Sequence, residues 1–128
     1  MASQETIESV IAQQEATKSG HRLWRNNRGM FYTMAGQKVR AGLEAGGSSD
    51  LIGYTTIEIT PEMVGKKLAV FTAVEMKRKT WKKPTSDTEK QQAVFIEHVS
   101  KDRGIAFFCN DGKKYIEYLK ICLASLSR

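Results

Sequence analysis

The stretch from Lys67 to Cys109 constrains most tightly what this chain can fold into. Lys67 to Arg78 carries Leu68, Val70, Phe71 and Val74 and reads as a central strand, followed by a charged loop from Lys79 to Thr85. Ser86-Asp87-Thr88-Glu89 then forms a capping box, in which hydroxyl and carboxylate reciprocally satisfy the orphan amides of a helix start. A helix is therefore expected from Ser86, with Phe95, Ile96 and Val99 as its apolar stripe and Gly104 as its C-terminal cap. Ile105 to Cys109 reads as a second apolar strand. Helices alternating with apolar strands imply an α/β architecture.

The remaining segments extend that pattern. Residues 4–18 read as a helix with Ile7, Val10, Ile11 and Gln14 in one stripe, ended by Gly20. His21 to Arg25 reads as a strand, Asn26, Asn27 and Gly29 as a turn, and Met30 to Val39 as a hairpin around Ala35-Gly36. Gly42, Gly46 and Gly47 loosen the chain before Leu51 to Ile59, the next strand, and Thr60-Pro61-Glu62 reads as a helical turn. Asp111-Gly112 marks a turn, and Tyr115 to Leu126 a last helix. The 128 residues fit one domain. A mixed central sheet of about four or five strands flanked by helices is expected.

Charge narrows the partners. The formal net charge of +6 favours a polyanion, either nucleic acid or a membrane surface. No segment approaches the ~18 apolar residues of a membrane-spanning helix, and no signal-peptide pattern stands at the start, so no membrane association and a cytoplasmic location are expected. Cys109 and Cys122 are too few for a tetrahedral zinc site without histidine, and neither His21 nor His98 stands at ligand spacing. In a reducing compartment they read as buried, inert thiols, Cys109 ending an apolar strand and Cys122 on an apolar helix face.

Chemistry concentrates in G-S-S-D-L-I-G (Gly47 to Gly53) and A-V-E-M-K-R-K (Ala73 to Lys79). Two carboxylates on adjacent strands, Asp50 and Glu75, can hold a divalent cation through hard oxygen ligands. The carbonyl of Met76 could supply a further oxygen. Lys77, two residues beyond Glu75, should point to the same face of its strand. There it could position an attacking water or neutralise charge building on a phosphate. E-x-K alone is common; the G-x-x-D-L-I upstream and the apolar flanks give it meaning. There is no G-x-x-x-x-G-K-[ST] phosphate loop and no G-x-S-x-G nucleophile elbow.

These residues resemble the PD-(D/E)xK nuclease superfamily, and within it the stand-alone VRR-NUC proteins, many of them carried by bacteriophages. The matching pieces are Leu23-Trp24-Arg25-Asn26-Asn27, Gly46 to Gly53, Val74-Glu75-Met76-Lys77-Arg78 and Gln92-Ala93-Val94-Phe95-Ile96, with Gly104 before an apolar strand. Ser49 stands where the superfamily's name has proline; that proline stiffens backbone and binds no metal. The resemblance implies a restriction-endonuclease-like core and a Mg²⁺- or Mn²⁺-dependent DNA endonuclease, with branched junctions such as Holliday junctions as substrate. It also implies host cytoplasm if the chain is phage-encoded.

Other residues join this reading. Many nucleases of the superfamily add an acid from the first helix; by register the resemblance puts it near Gln4 or Glu5, and Gln4 carries no charge. Glu8 and Glu15 lie at the edge of the apolar stripe while Glu5 points away, so Glu8 is the candidate, with a solvated helix acid as the alternative. Gln92, preferred over Gln91 because Phe95 follows one turn along the same face, could donate to a phosphate or hold a water. His98 reads as a partly buried, satisfied histidine. Lys79, Lys82 and Lys83 with Arg78 form a basic run around Trp81; the cations would engage phosphates. Trp81 would either stack on an unpaired base or pack back on the domain. Arg25 and Asn26, in the turn to Arg28, offer donors to a phosphate backbone, although turn chemistry alone also explains the asparagines. Two symmetric scissile strands suit a C2 homodimer, paired through the C-terminal helix or the Met30 to Val39 hairpin, and either could simply be core. A DNA-binding module without catalysis of its own is the alternative function, and an interaction protein with a chance motif a third.

Overall fold

A computed structural model describes residues 3–27, 29–41 and 49–127. Arg28, Gly42, Gly46, Gly47 and Ser48 lie outside the described residues. The chain divides into two compact units, residues 1–60 and 61–128.

The first unit opens with helix α1 (Gln4–Lys18). The Ser3 side chain caps it, accepting from the Thr6 amide at 3.1 Å, a bond worth about 1 kcal/mol. Gly20 ends it as expected: at φ +84° it donates to the Thr17 carbonyl, and the His21 amide donates to Ala16, a paired closure that uses the left-handed residue. The stripe of Ile7, Val10 and Ile11 remains about half exposed (44%, 46% and 45%). Strand β1 (Arg22–Arg25) then pairs antiparallel with β4 (Leu51–Tyr54), Arg22 opposite Tyr54 and Arg25 opposite Leu51. The Trp24 and Tyr54 rings pack diagonally across that pair, centroids 5.8 Å apart. Gln13 ties α1 to the pair by donating to the Leu23 carbonyl.

Strands β2 (Gly29–Tyr32) and β3 (Lys38–Ala41) form the expected hairpin, Tyr32 opposite Lys38. Its turn is closed by the Thr33 amide on the Gln37 carbonyl, with Gly36 at φ +83°, a conformation glycine adopts without a Cβ penalty. The β4 strand is shorter than the expected Leu51 to Ile59. Past Tyr54 the backbone is diverted: the Thr56 amide donates to His21 Nδ1 at 3.0 Å, a side chain in place of a ladder carbonyl.

The second unit has a short 3₁₀ turn (Pro61–Met63), strand β5 (Thr72–Met76), helix α2 (Asp87–Lys101), strand β6 (Ile105–Cys109), a 3₁₀ turn (Gly112–Lys114) and helix α3 (Tyr115–Ser125). β5 and β6 pair in parallel, Thr72 opposite Ile105 and Met76 opposite Cys109, with α2 as the crossover that parallel strands need. Bonds from the Ile105 amide to Phe71 and from the Lys77 amide to Cys109 continue the ladder at its ends. The Lys67 to Val70 part of the expected strand lies outside that ladder; Leu68 and Val70 stay exposed. Among the described residues Val99 of α2 and Ile105, Ala106 and Cys109 of β6 are the buried apolar ones, and Phe107 packs against Tyr115 and Tyr118 of α3.

The capping box at Ser86 and Glu89 is present as expected. The far end of α2 corrects the sequence reading: Arg103, not Gly104, takes the left-handed conformation (φ 63°). Gly104 has another reason to be small. A Cβ there would lie 2.7 Å from Val99 Cγ1, where the chain passes under the end of its own helix.

The chain is thus α/β, with antiparallel and parallel pairs. The expectation of one central sheet is corrected: among the described residues the strands form three two-stranded sheets. No helix among the described residues is long and apolar enough to cross a membrane.

Candidate active site

In the second unit the end of β5 and the first turns of α2 place four side chains in one hydrogen-bonded chain. Gln92 is its centre. Its Nε2 donates to Glu75 Oε1 at 2.9 Å, and its Oε1 accepts from Lys77 Nζ at 2.8 Å. The charges on either side fix the orientation of the amide, since only nitrogen can serve the carboxylate and only oxygen the ammonium. Glu75 and Lys77 therefore face the same side, as strand alternation requires. Gln91, the competitor, is exposed on the helix.

The fourth member, Glu89, was legible only as a capping residue. Its Oε1 accepts from the Thr85 amide at 3.1 Å and the Ser86 amide at 3.4 Å, while Oε2 accepts from Lys77 Nζ at 3.2 Å and Trp81 Nε1 at 2.7 Å. The Thr85 amide, then Lys77, then the Trp81 and Ser86 donors against some desolvation, lower its carboxyl to about 2. The side chains of Lys77 and Glu89 are only 14% and 18% exposed. The ammonium also lies 5.9 Å from the Trp81 ring centroid and 5.7 Å from that of Phe108, within cation–π range.

Trp81 settles between its two expected roles. It is half-buried, its ring packs on Phe108 at 4.7 Å between centroids, and its N–H is committed to Glu89. An exposed stacking platform is corrected to a wall of the site. With Met76, Lys77, Arg78, Thr80 and Glu89 it lines an open cleft of about 420 Å³. Lys79, Lys82 and Lys83 are exposed, as a phosphate-binding run needs to be. Asn110, absent from the sequence reading, anchors the base of that loop: its Nδ2 donates to the Trp81 carbonyl at 3.0 Å, and its Oδ1 accepts from Tyr118. The only sign of it in the sequence was the Asn110-Asp111-Gly112 turn.

In the first unit Asp50 lies just before β4. Asn26 holds this corner: its amide donates to the Asp50 carbonyl at 2.8 Å and its Nδ2 to Ser49 at 2.9 Å. Asn26 is buried, so its reading as a phosphate donor is corrected; its amide serves the backbone that presents Asp50. Arg25 is exposed. Glu8 accepts from Gln4 Nε2 on the exposed surface of α1. Glu5, read as pointing away, instead lines an open cleft of about 160 Å³ together with Arg25, Asn26 and Asp50.

As a donor set, carboxylate and carbonyl oxygens suit a hard divalent cation. Among the described residues no three His, Cys, Asp or Glu converge. Within the second unit the Glu75 carboxylate and the Met76 carbonyl are oxygen donors, the kind that Mg²⁺ or Mn²⁺ takes in preference to a softer metal. Both cysteines are free, Cys109 buried and Cys122 half-buried with its thiol pushed up by desolvation, which suits inert thiols. His98 is exposed rather than partly buried. Compared with protein-family models, with curated proteins and with solved structures, the chain matches none.

Proposed function

We propose that this chain is a divalent-metal-dependent DNA endonuclease of the VRR-NUC type on a PD-(D/E)xK core, acting on branched DNA as a C2 homodimer in the cytoplasm. The observation that carries the reading is the Gln92 bridge, which holds a carboxylate and an ammonium on one side of a strand end. Asp50, Glu75 and the Met76 carbonyl would hold Mg²⁺ or Mn²⁺; the pairing of Asp50 with Glu75 rests on the sequence motif. When bound, the ion would polarise a phosphoryl oxygen and acidify its water. Lys77, held in place by Gln92 and Glu89, stabilises negative charge that develops on the phosphate. Gln92 keeps that cation at a set distance from Glu75. Lys79, Lys82 and Lys83 hold phosphates without reading sequence.

Metal-dependent cleavage of plasmid and junction DNA, measured beside Glu75→Ala, tests this. Cleavage by the wild type alone supports the nuclease. Tight binding to junctions without cleavage, at any Mg²⁺ or Mn²⁺ concentration, would leave a DNA-binding module.

A further inference from the structure

We infer that Glu89 is a positioning residue for Lys77, and that the start of α2 is built to aim that ammonium at the reacting phosphate. The inference rests on the nuclease reading for its catalytic consequence, but its geometry stands apart from it. Four features converge on one carboxylate.

First, the two oxygens divide their work. Oε1 takes the Thr85 and Ser86 amides and so belongs to the helix cap, while Oε2 takes Lys77 and Trp81. A residue needed for capping alone would have no reason to spend its second oxygen on a cation from the end of a strand. Second, the ammonium has two acceptors, Gln92 Oε1 at 2.8 Å and Glu89 Oε2 at 3.2 Å, one helical turn apart on α2. Two acceptors fix a direction for Nζ where one would leave it free to swing. Third, the rings of Trp81 and Phe108 flank the same ammonium. Trp81 is itself anchored to Oε2, so the carboxylate sets both the cation and its wall. Fourth, Lys77 and Glu89 are both largely shielded, which strengthens the pair relative to a surface bridge. An ammonium offers three protons. Gln92 and Glu89 take two, and the third remains for a phosphate oxygen in the cleft beside Met76, Arg78 and Thr80. Glu89 touches no substrate; it acts through Lys77.

Glu89→Gln separates aim from capping. Glutamine at this position preserves the S-x-x-Q form of the capping box and removes the charge. Ser86→Ala does the reverse: it removes the side-chain cap and leaves the carboxylate in place. In protein carrying ¹⁵N-lysine at low temperature, a held ammonium exchanges its protons slowly enough to give a signal, assigned by its loss in Lys77→Ala. We expect the Lys77 signal in wild type and Ser86→Ala and its loss in Glu89→Gln, with circular dichroism showing α2 retained. In cleavage assays Glu89→Gln should lower kcat about 10-fold, the low end of the loss on removing an outer partner of a reacting group, with KM for DNA unchanged. Ser86→Ala should lower the melting temperature and leave kcat alone. If Glu89→Gln melts α2, Glu89→Asp, whose carboxylate is drawn back by one methylene, is read in the same way.

A Lys77 signal of wild-type strength in Glu89→Gln overturns the inference. So does cleavage at the wild-type rate, or an equal kcat loss in Ser86→Ala at matched folded fraction. A wild type that cuts no DNA would defeat the nuclease reading, and the ammonium signal would still decide whether Glu89 holds Lys77.

Discussion

Gln92→Ala is the sharpest probe of the second unit, because one side chain carries two charge-assisted hydrogen bonds. The substitution removes the 2.9 Å bond to Glu75 and the 2.8 Å bond from Lys77. Hydrogen bonds to charged groups contribute about 1.5–3 kcal/mol each. Glu75, Lys77 and Gln92 are all of intermediate exposure, so water can partly replace the missing partner, and the low end applies. Two bonds at that end amount to about 3 kcal/mol of stability. Lys77 would keep Glu89 and Glu75 would lose this amide, so the ammonium should swing toward Glu89 and away from the strand acid. Cleavage should then fall by roughly 10²-fold, as when a preorganised donor is displaced from a developing charge. Urea denaturation followed by circular dichroism gives the first quantity, and single-turnover cleavage at saturating DNA and metal gives the second. A stability loss below about 0.5 kcal/mol, the range of ordinary surface substitutions, would refute the bridge. A loss near 3 kcal/mol with a wild-type rate would leave the bridge standing and remove it from the chemistry.

Gly53→Ala should cost at least ~3 kcal/mol, since its methyl would overlap the Arg22 carbonyl oxygen and lie 2.9 Å from Leu23 Cα, forcing β1 and β4 apart; a urea midpoint within error of wild type would contradict the register. Arg103→Gly should be about 1 kcal/mol more stable than Arg103→Ala, because both lose the bond to the Leu126 carbonyl and only glycine accepts φ 63° freely; equal midpoints would remove the strain. Replacing Lys79, Lys82 and Lys83 with alanine should reduce the log–log salt slope of DNA affinity by about 0.9 for each phosphate no longer neutralised, with base preference unchanged; an unaltered slope would move the interface to the Arg25 turn. Glu89, lowered to about 2 from 4.5, should contribute its full stabilisation above pH 4.5 and lose it as pH falls toward 2, so wild type should show a steeper acid limb than Glu89→Gln, and parallel limbs would refute the coupling.

Local rules carried the sequence reading far along the chain and failed where distant partners decide. Helix α1, the hairpin about Gly36, the capped start of α2 and strand β6 were legible because each depends on a few consecutive residues: a serine cap, a left-handed glycine, a reciprocal box, an apolar run. The ends of β4 and β5 were not, because strand length is set by what lies opposite. A histidine side chain takes the Thr56 amide, and the β6 ladder leaves Leu68 and Val70 outside. The same division runs through the candidate site. Glu75 and Lys77 share a side by strand alternation, and Gln92 lies on the face that meets them, so that trio follows from periodicity. Asn26 and Trp81 carry donors that suit DNA as well as protein, and composition cannot choose between the two. Burial chooses: Asn26 turns its amide to the Ser49 carbonyl, and Trp81 turns its N–H to Glu89. Glu89 shows the limit most clearly. Its place in S-x-x-E explains one carboxylate oxygen completely, and so hides the need to ask what the other oxygen binds.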